Sequence, residues 1–193
     1  MVTWRAAPLR YSRSMSGDQA LIQIVDAAMA EAARHSGAWL VCRPGCTDCC
    51  MGPFPITQLD ARRLREGLAE LESRDRQRAA RVRERARQAV AGTATDDDPC
   101  PALDPSTGTC DLYAARPITC RIFGPPVRYG SEAVGVCELC FRGASDEEIA
   151  ACRVEIDPGL ESQLSNEVEE SSGVRGETSV ALALAAASEA APR

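Results

Sequence analysis

The feature that most constrains this chain is a dense cluster of cysteines near its first third. Four of its ten cysteines fall in the nine-residue run Cys42-Arg43-Pro44-Gly45-Cys46-Thr47-Asp48-Cys49-Cys50. Cysteines at this density are disulfide partners or metal ligands, and the redox compartment usually decides between the two. Pro44 and Gly45 favour a tight reversal, because proline fixes φ and glycine tolerates positive φ. The run predicts a loop that folds around a metal centre.

The adjacent pair Cys49 and Cys50 restricts the kind of centre. Neighbouring side chains tend to diverge, whereas sulfurs on one zinc ion lie within about 4 Å of each other, given a Zn–S bond of ~2.3 Å. We therefore do not expect both thiols to complete one tetrahedral zinc site. A larger cluster, two adjacent metal ions or one structural thiol remain open.

The composition predicts one compact domain with tails, since the chain has 193 residues and a normal hydrophobic content of 45%. Only 4% of the residues are aromatic, which limits the core that they can build. A bound metal that contributes folding free energy fits this composition.

The charge pattern excludes several function classes. The net charge of −6 makes a nucleic-acid partner unlikely on electrostatic grounds, because phosphate contacts require a basic surface. All 22 basic residues are arginine, so no mechanism can use a lysine amine. Asp18 and Asp26 interrupt the apolar segment that a secretory signal would need, and no run approaches the roughly 18 apolar residues of a membrane span. We expect a cytoplasmic protein that does not enter the membrane.

Helical periodicity dominates the sequence before and after the cysteine run. Asp18 is the predicted N-cap of a first helix that ends near His35, before Gly37. Thr57 is the predicted N-cap of a second helical segment that reaches about residue 91, either as one helix or as two with a break near Ser73. The apolar face of the first helix comprises Leu21, Ile24, Val25, Ala28, Met29 and Ala32.

The second helical segment is rich in arginine. Ten arginines lie between Arg62 and Arg87, against six acidic residues from Asp60 to Glu84. We interpret this run as a solvated face with i,i+4 pairs, such as Glu70 with Arg74 and Glu72 with Arg76. An RNA or acidic partner is the weaker interpretation, because no aromatic residues interleave the arginines.

The remaining cysteines lie in turn-rich sequence. The turn from Pro105 to Gly108 is expected to return Cys110 towards Cys100. Cys137 and Cys140 form a Cys-x2-Cys pair, and Cys152 follows a short predicted helix that begins near Ser145. We predict a lead-in over residues 1–16, a cysteine-cluster domain over 17–156, and a disordered acidic tail over 157–193 in which residues 179–190 could form an alanine-rich helix. The predicted fold class is therefore mainly α, a small loop-rich metal-binding domain with a disordered C-terminal tail.

These residues together resemble the CxxCxxCC family of zinc- or iron-chelating domains, also called YkgJ-like cysteine cluster proteins. The resemblance covers about residues 40–125, and the chain departs from the motif in having three residues between Cys42 and Cys46 instead of two. It rests on Cys42/Cys46/Cys49/Cys50, Cys100-Pro101, Gly108-x-Cys110, Leu112-Tyr113, Arg116-Pro117 and Cys120-Arg121-x-Phe123. Members are described as metal chelators or iron–sulfur oxidoreductases, and similar domains occur in flagellin lysine methylases. The resemblance implies a metal site more firmly than it implies a reaction.

Residues and resemblance together predict metal ligation by nine cysteines. An iron–sulfur cluster, with 4Fe–4S favoured, spreads its thiolate ligands further apart than a lone zinc ion and so accommodates distant cysteines. Zinc bound by sets of four thiolates is the alternative, with a second such site using Cys137 and Cys140. The predicted ligands are Cys42, Cys46, Cys49, Cys50, Cys100, Cys110, Cys120, Cys137 and Cys140.

Arg116 and Arg121 flank Cys120 and are the candidate cofactor-binding residues. A nearby guanidinium would lower the pKa of a thiol and could set a reduction potential or receive an anionic ligand. A structural ion pair with a carboxylate is the other interpretation of these arginines.

Two function classes follow. One is a redox or electron-transfer protein, or an iron–sulfur oxidoreductase, that works with an unidentified protein or small-molecule redox partner. The other is a zinc-stabilised structural or interaction module without catalysis. A radical S-adenosylmethionine enzyme shares the spacing Cys42-x3-Cys46-x2-Cys49, but Asp48 replaces the usual aromatic residue and too little strand–helix alternation remains for a barrel. A disulfide scaffold is disfavoured because no secretory signal is evident.

Overall fold

Most of the secondary structure of the chain is α-helix. The computed structural model describes residues 16–92, 95–130 and 134–187. The α-helices within these ranges are α1 (Gly17–Ser36), α2 (Gln58–Arg74), α3 (Arg76–Ala91), α4 (Ile118–Arg121), α5 (Asp146–Cys152), α6 (Gly159–Ser172) and α7 (Val180–Ala185). The prediction of a mainly helical, loop-rich domain is confirmed, whereas the lead-in predicted for residues 1–16 lies outside the described residues except for Ser16.

The strands are short, and two of the three pairs among the described residues join segments that are distant in the sequence. They are β1 (Pro55–Ile56), β2 (Leu103–Asp104), β3 (Thr109–Cys110), β4 (Val127–Tyr129), β5 (Val154–Ile156) and β6 (Thr178–Ser179). β1 pairs antiparallel with β6, β2 pairs antiparallel with β3, and β4 pairs parallel with β5. Each two-stranded sheet therefore links two segments of the chain, and the sheets do not form a separate layer.

Local capping sets the start of α1. Ser16 is the N-cap: its hydroxyl accepts a hydrogen bond from the Gln19 amide at 3.2 Å, and its own amide donates to the Gln19 side chain at 3.3 Å. The prediction that Asp18 would cap this helix is wrong by two residues, because Ser16 and Gln19 form a reciprocal capping box. Asp18 lies in the first turn of α1 and pairs with Arg63 of α2. Gly37, with φ of 50°, ends the helix as predicted.

The second helical segment divides into two helices, one of the two alternatives that the sequence left open. The Thr57 hydroxyl caps α2 by accepting from the Asp60 amide at 3.1 Å. Asp75 separates α2 from α3 and caps α3 through the Arg78 amide at 2.9 Å. The break lies two residues after Ser73, and it allows α3 to fold back onto α2.

The arginine-rich face is only partly solvated. Arg74 approaches Glu70 at 3.9 Å on the surface, as predicted. The predicted pair of Glu72 with Arg76 is wrong: the Glu72 carboxylate binds the buried guanidinium of Arg83 at 2.6 Å. The reason is tertiary, because the reversal at Asp75 places Arg83 of α3 opposite Glu72 of α2.

Two apolar cores hold the helices together. The first lies between α2, α3 and α7, with buried Leu64, Leu68, Val82 and Leu184. The second lies between α1, α6, α4 and the β4–β5 pair, and it is made by Leu21, Val25, Leu59, Ile118, Val127, Ile156 and Val168. No helix among the described residues is both long enough and apolar enough to cross a bilayer.

The disordered tail predicted from Asp157 is wrong for residues 157–187. These residues form α6, β6 and α7, and they bury Val168 in the second core and Leu184 in the first. Mean polarity misled the prediction, since each helix needs only one narrow apolar face to pack. Residues 188–193 lie outside the described residues.

Candidate metal centre

Two successive turns shape the first cysteine run. The Cys46 amide donates to the Arg43 carbonyl at 3.0 Å across Pro44 and Gly45, and the φ of 87° at Gly45 makes this turn possible. A second turn follows, in which the Cys50 amide donates to the Thr47 carbonyl at 2.8 Å. The four cysteines of the run consequently lie on a tightly folded loop, as the sequence predicts.

Backbone pairing brings this loop to the second cysteine block. The Cys100 amide donates to the Cys50 carbonyl at 2.7 Å, and the Gly52 amide donates to the Asp98 carbonyl at 2.8 Å. Met51 and Pro99 form an antiparallel bridge between these two contacts. Cys50 and Cys100 are therefore neighbours in space although α2 and α3 separate them in sequence.

The β2–β3 hairpin brings Cys110 to the same place. Cys110 pairs with Leu103 in the hairpin, and the turn over residues 105–108 joins the strands as predicted. Gly108 has φ of 65°, and a Cβ built on it would lie 3.3 Å from the Cα of Gly45. Only glycine allows the hairpin turn and the first cysteine loop to approach so closely.

Helix α4 carries Cys120 and is held at both ends. At its start, the Ile118 amide donates to the buried carboxylate of Asp60 at 3.2 Å, and Asp60 is paired with Arg63. At its end, the Arg121 guanidinium donates to Asp26 at 2.9 Å. Two helices, α1 and α2, thus fix the position of this four-residue helix and its thiol.

The cysteine segments meet around one cavity of about 540 Å³. Seven of the nine predicted ligands line it, in agreement with the predicted convergence of the two sulfur-rich segments: Cys42, Cys46, Cys49, Cys50, Cys100, Cys110 and Cys120. Cys137 and Cys140 do not line this cavity and lie in a separate buried cluster with Phe141 and Cys152. Metal ligation by each of these cysteines stays a prediction.

Five of the thiols form one group, which we call the five-thiol wall: Cys49, Cys50, Cys100, Cys110 and Cys120. The Cys49 and Cys50 thiols are close enough to shift each other's pKa, and both residues line the cavity. The 3₁₀ turn at Asp48–Cys50 carries them. Both thiols are therefore available to one centre.

Burial keeps most of this wall protonated in the absence of a cation. The hydrogen bond from Cys49 lowers the pKa of the Cys50 thiol, and the same bond, followed by burial, raises the pKa of Cys49. Burial raises the pKa of Cys100 to about 11 and, together with the nearby Cys100 and Cys110 thiols, raises that of Cys120. Deprotonation of the thiols whose pKa is raised therefore requires a compensating positive charge.

The donor set fits a thiophilic metal. Thiolates are the ligands preferred by zinc and by iron–sulfur clusters, and they disfavour magnesium and calcium. Among the described residues, no group of three or more His, Cys, Asp or Glu side chains already has its donor atoms arranged around a metal position. Metal binding by these thiols would therefore require changes in their side-chain torsions.

The two predicted cofactor-binding arginines lie at the cavity but differ in environment. Arg116 stacks over the ring of Tyr113 at 3.9 Å and donates to the Tyr113 carbonyl at 2.9 Å. Arg121 is buried and donates to Asp26 and to the carbonyls of Ala114 and Arg116. The contacts of Arg121 are those of a structural brace, and a cofactor contact by either residue stays a prediction.

Sequence reasoning missed the buried charges that support the wall. Asp60 was assigned only to a helix first turn, yet its side chain is buried and joins α2 to α4. The Asp111 side chain is 1% exposed and binds both Arg78 and Arg85 of α3, beside Cys110. No local pattern distinguishes these aspartates from surface ones, because their partners are distant in sequence.

These observations define a small helical protein in which cysteine loops gather buried thiols around a cavity. The sequence model of the CxxCxxCC family, described as a zinc- or iron-chelating domain, matches residues 41–140, more than half of the chain. The chain belongs to this family and is a metal-binding protein of the zinc or iron class. No curated protein and no solved structure shows significant similarity to it.

Proposed function

We propose that the five-thiol wall binds an iron–sulfur cluster, with 4Fe–4S as the favoured form, and that the protein uses this cluster in electron transfer or a redox step. One observation carries the proposal: five thiols from three separate segments, including an adjacent pair, lie on the same cavity. A single tetrahedral zinc ion uses four thiolates and would leave one of these thiols without a role. A cluster spreads its ligands over several iron atoms and can draw four of them from such a wall.

The surroundings of the cavity support a redox role. Tyr113 and Phe123 line the cavity and remain 64% and 47% exposed, so large side chains mark where its wall meets solvent. Arg116 adds a positive charge at the same edge, which favours an anionic partner or substrate. When bound, the cluster would supply one-electron chemistry, and the chain would supply its thiolate ligands, its burial and this approach surface.

We further propose a reducing location such as the cytoplasm and a protein or small molecule as the redox partner. All ten cysteines lie in the described part of the chain and carry free thiols. Free thiols persist in reducing compartments, whereas oxidising compartments convert neighbouring cysteines to disulfides. The negative net charge again makes nucleic acid a poor candidate partner.

The alternative is a zinc-binding structural or interaction module without catalysis. The family description includes zinc, and a chain with 4% aromatic residues gains stability from a structural metal. In this case four thiols of the wall would close around one ion, and the cavity would hold neither a substrate nor a redox-active centre.

Anaerobic purification followed by iron, sulfide and zinc analysis separates the two functions. An iron–sulfur protein is brown and holds about four irons with matching acid-labile sulfide per chain. Cys120→Ser should lower the iron content and the visible absorption, whereas the control Cys152→Ser should keep both. Cys152 is a suitable control, because it is also a free cysteine and is buried, but its thiol donates to the His35 carbonyl at 3.3 Å. A colourless protein that contains zinc and no iron contradicts the cluster and supports the structural module.

A further inference from the structure

Four of the nine predicted ligands lie outside the five-thiol wall, and two of their thiols are in contact. The Cys42 sulfur lies 3.9 Å from the Cys140 sulfur, although 98 residues separate the two in sequence. A disulfide would require about 2.0 Å, so these are two thiols in contact. Two sulfurs bound to one zinc ion in tetrahedral geometry lie about 3.8 Å apart, given a Zn–S bond of ~2.3 Å. The observed separation matches that geometry.

The backbone around this pair is built for close approach. Gly124 has φ of 116°, and a Cβ placed on it would lie 3.3 Å from the Cys42 sulfur. The Gly124 carbonyl accepts a hydrogen bond from the Cys137 amide at 3.2 Å. The sulfur of Cys42 therefore lies against the same glycine that holds Cys137, even though much of the Cys42 residue is exposed.

Each half of the group is a cysteine pair closed by a turn. The Cys140 amide donates to the Cys137 carbonyl at 3.0 Å, which brings the two ends of the Cys-x2-Cys segment together. The turn before Cys46 does the same for the segment that begins at Cys42. Cys137 and Cys140 are buried, with 7% and 3% exposure, as is usual for ligands of a closed structural site.

We propose that Cys42, Cys46, Cys137 and Cys140 form a second metal site, separate from the five-thiol wall, that holds one tetrahedral zinc ion through four thiolates. This site goes beyond the proposed redox function and does not depend on it. It divides the nine predicted ligands into a group of four and a group of five.

The positions of the four thiols agree with a cation at this position. The Cys42 sulfur contacts that of Cys140, and Gly124 links Cys42 to Cys137. Cys46 lines the same cavity as Cys42. A zinc ion would deprotonate the thiols on binding.

The site would fasten the first cysteine loop to the C-terminal part of the family domain. The neighbouring Trp39 and Phe141 rings already stack across the same junction, with centroids 6.1 Å apart, and the Phe141 amide donates to the Trp39 carbonyl at 3.4 Å. Leu40 packs against the same buried cluster of Cys137, Cys140, Phe141 and Cys152. The bound ion would therefore hold the loop that presents Cys49 and Cys50 to the wall.

Two double variants test the division. Cys137→Ser/Cys140→Ser should lose one zinc per chain and keep the metal of the wall, and Cys100→Ser/Cys120→Ser should lose the metal of the wall and keep that zinc. Cys152→Ser is the control and should keep both. Metal is counted by elemental analysis of the full-length, anaerobically purified protein. Loss of all metal in both doubles, or full zinc retention in Cys137→Ser/Cys140→Ser, overturns the proposal. If the wall holds no iron, the redox proposal fails, yet the zinc should still depend on Cys137 and Cys140.

A measurement on the unmodified protein avoids variants that fail to fold. Alkylation of the cysteines is mapped by mass spectrometry while a chelator removes zinc in steps. Cys42, Cys46, Cys137 and Cys140 should become reactive together, in proportion to the release of one zinc ion. Reactivity of Cys137 and Cys140 that does not follow that of Cys42 and Cys46 overturns the site. So does an intact mass, without reductant, that shows a Cys42–Cys140 disulfide in the anaerobically purified protein.

Discussion

Replacing Asp60 with alanine should destabilise the whole protein, although Asp60 touches no predicted metal ligand directly. Its carboxylate is 1% exposed and pairs with Arg63, whose side chain is also buried. It also accepts the Ile118 amide at 3.2 Å, at the start of the helix that carries Cys120. The substitution therefore leaves a buried guanidinium with Asp18 as its remaining carboxylate partner and leaves a buried amide without its acceptor.

The expected loss is large for a single substitution. Breaking a buried ion pair by removing one partner costs about 3–5 kcal/mol. For a chain of this size, that loss lowers the unfolding midpoint by on the order of 10 °C. Because α4 loses its anchor, we also expect the Asp60→Ala protein to retain less metal than the unmodified protein.

The matched control is Glu70→Ala, which removes an acidic residue from the same helix. Glu70 pairs with Arg74 at 3.9 Å, and both side chains are more than 70% exposed. Such a pair contributes about 0.3–0.5 kcal/mol. Thermal unfolding of the metal-loaded proteins, followed by circular dichroism, compares the two. If Asp60→Ala shifts the midpoint no further than Glu70→Ala does, the buried network does not anchor α4 and the reasoning is refuted.

Three further predictions concern other parts of the structure. Gly67→Ala should destabilise the protein by about 1–3 kcal/mol, because a Cβ at Gly67 would lie 2.3 Å from that of Ala115. Urea unfolding measures this change. Alanine usually stabilises a helix relative to glycine, so a gain in stability would contradict the close packing of α2. Burial raises the pKa of Glu161 in the folded state despite its hydrogen bond with Tyr129, so stability should fall as the pH rises from about 4.3 through the folded-state pKa. Glu161→Gln should remove that fall in denaturant titrations at several pH values, and an unchanged pH profile would be inconsistent with a buried carboxyl. Metal uptake by the five-thiol wall should release protons and weaken as the pH falls, because burial raises the pKa of thiols such as Cys100 and ligation needs thiolates. Calorimetry in buffers of different ionisation enthalpy measures the number of protons released. Uptake without proton release would mean that the thiols are already ionised, which contradicts the prediction.

The sequence by itself determined the features that depend on neighbouring residues. Thr57 caps α2 and the turn over residues 105–108 closes the hairpin, as predicted, and the break just after Ser73 matches one of the two alternatives that the sequence left open. A cap or turn is made by side chains and amides a few residues apart, so its pattern is complete within a short window. The cysteine spacing likewise sufficed to identify the CxxCxxCC family and a metal-binding protein.

Only the tertiary structure decided which distant groups meet. It placed Arg83 against Glu72, buried Leu184 in a segment whose composition predicted disorder, and put Cys140 beside Cys42 instead of on the five-thiol wall. These contacts depend on how helices pack and on where two glycines allow backbones to approach, and no local pattern encodes that. The spacing of the cysteines thus predicts that metal binds, whereas the proposed division of the thiols between two centres follows from packing over the whole chain.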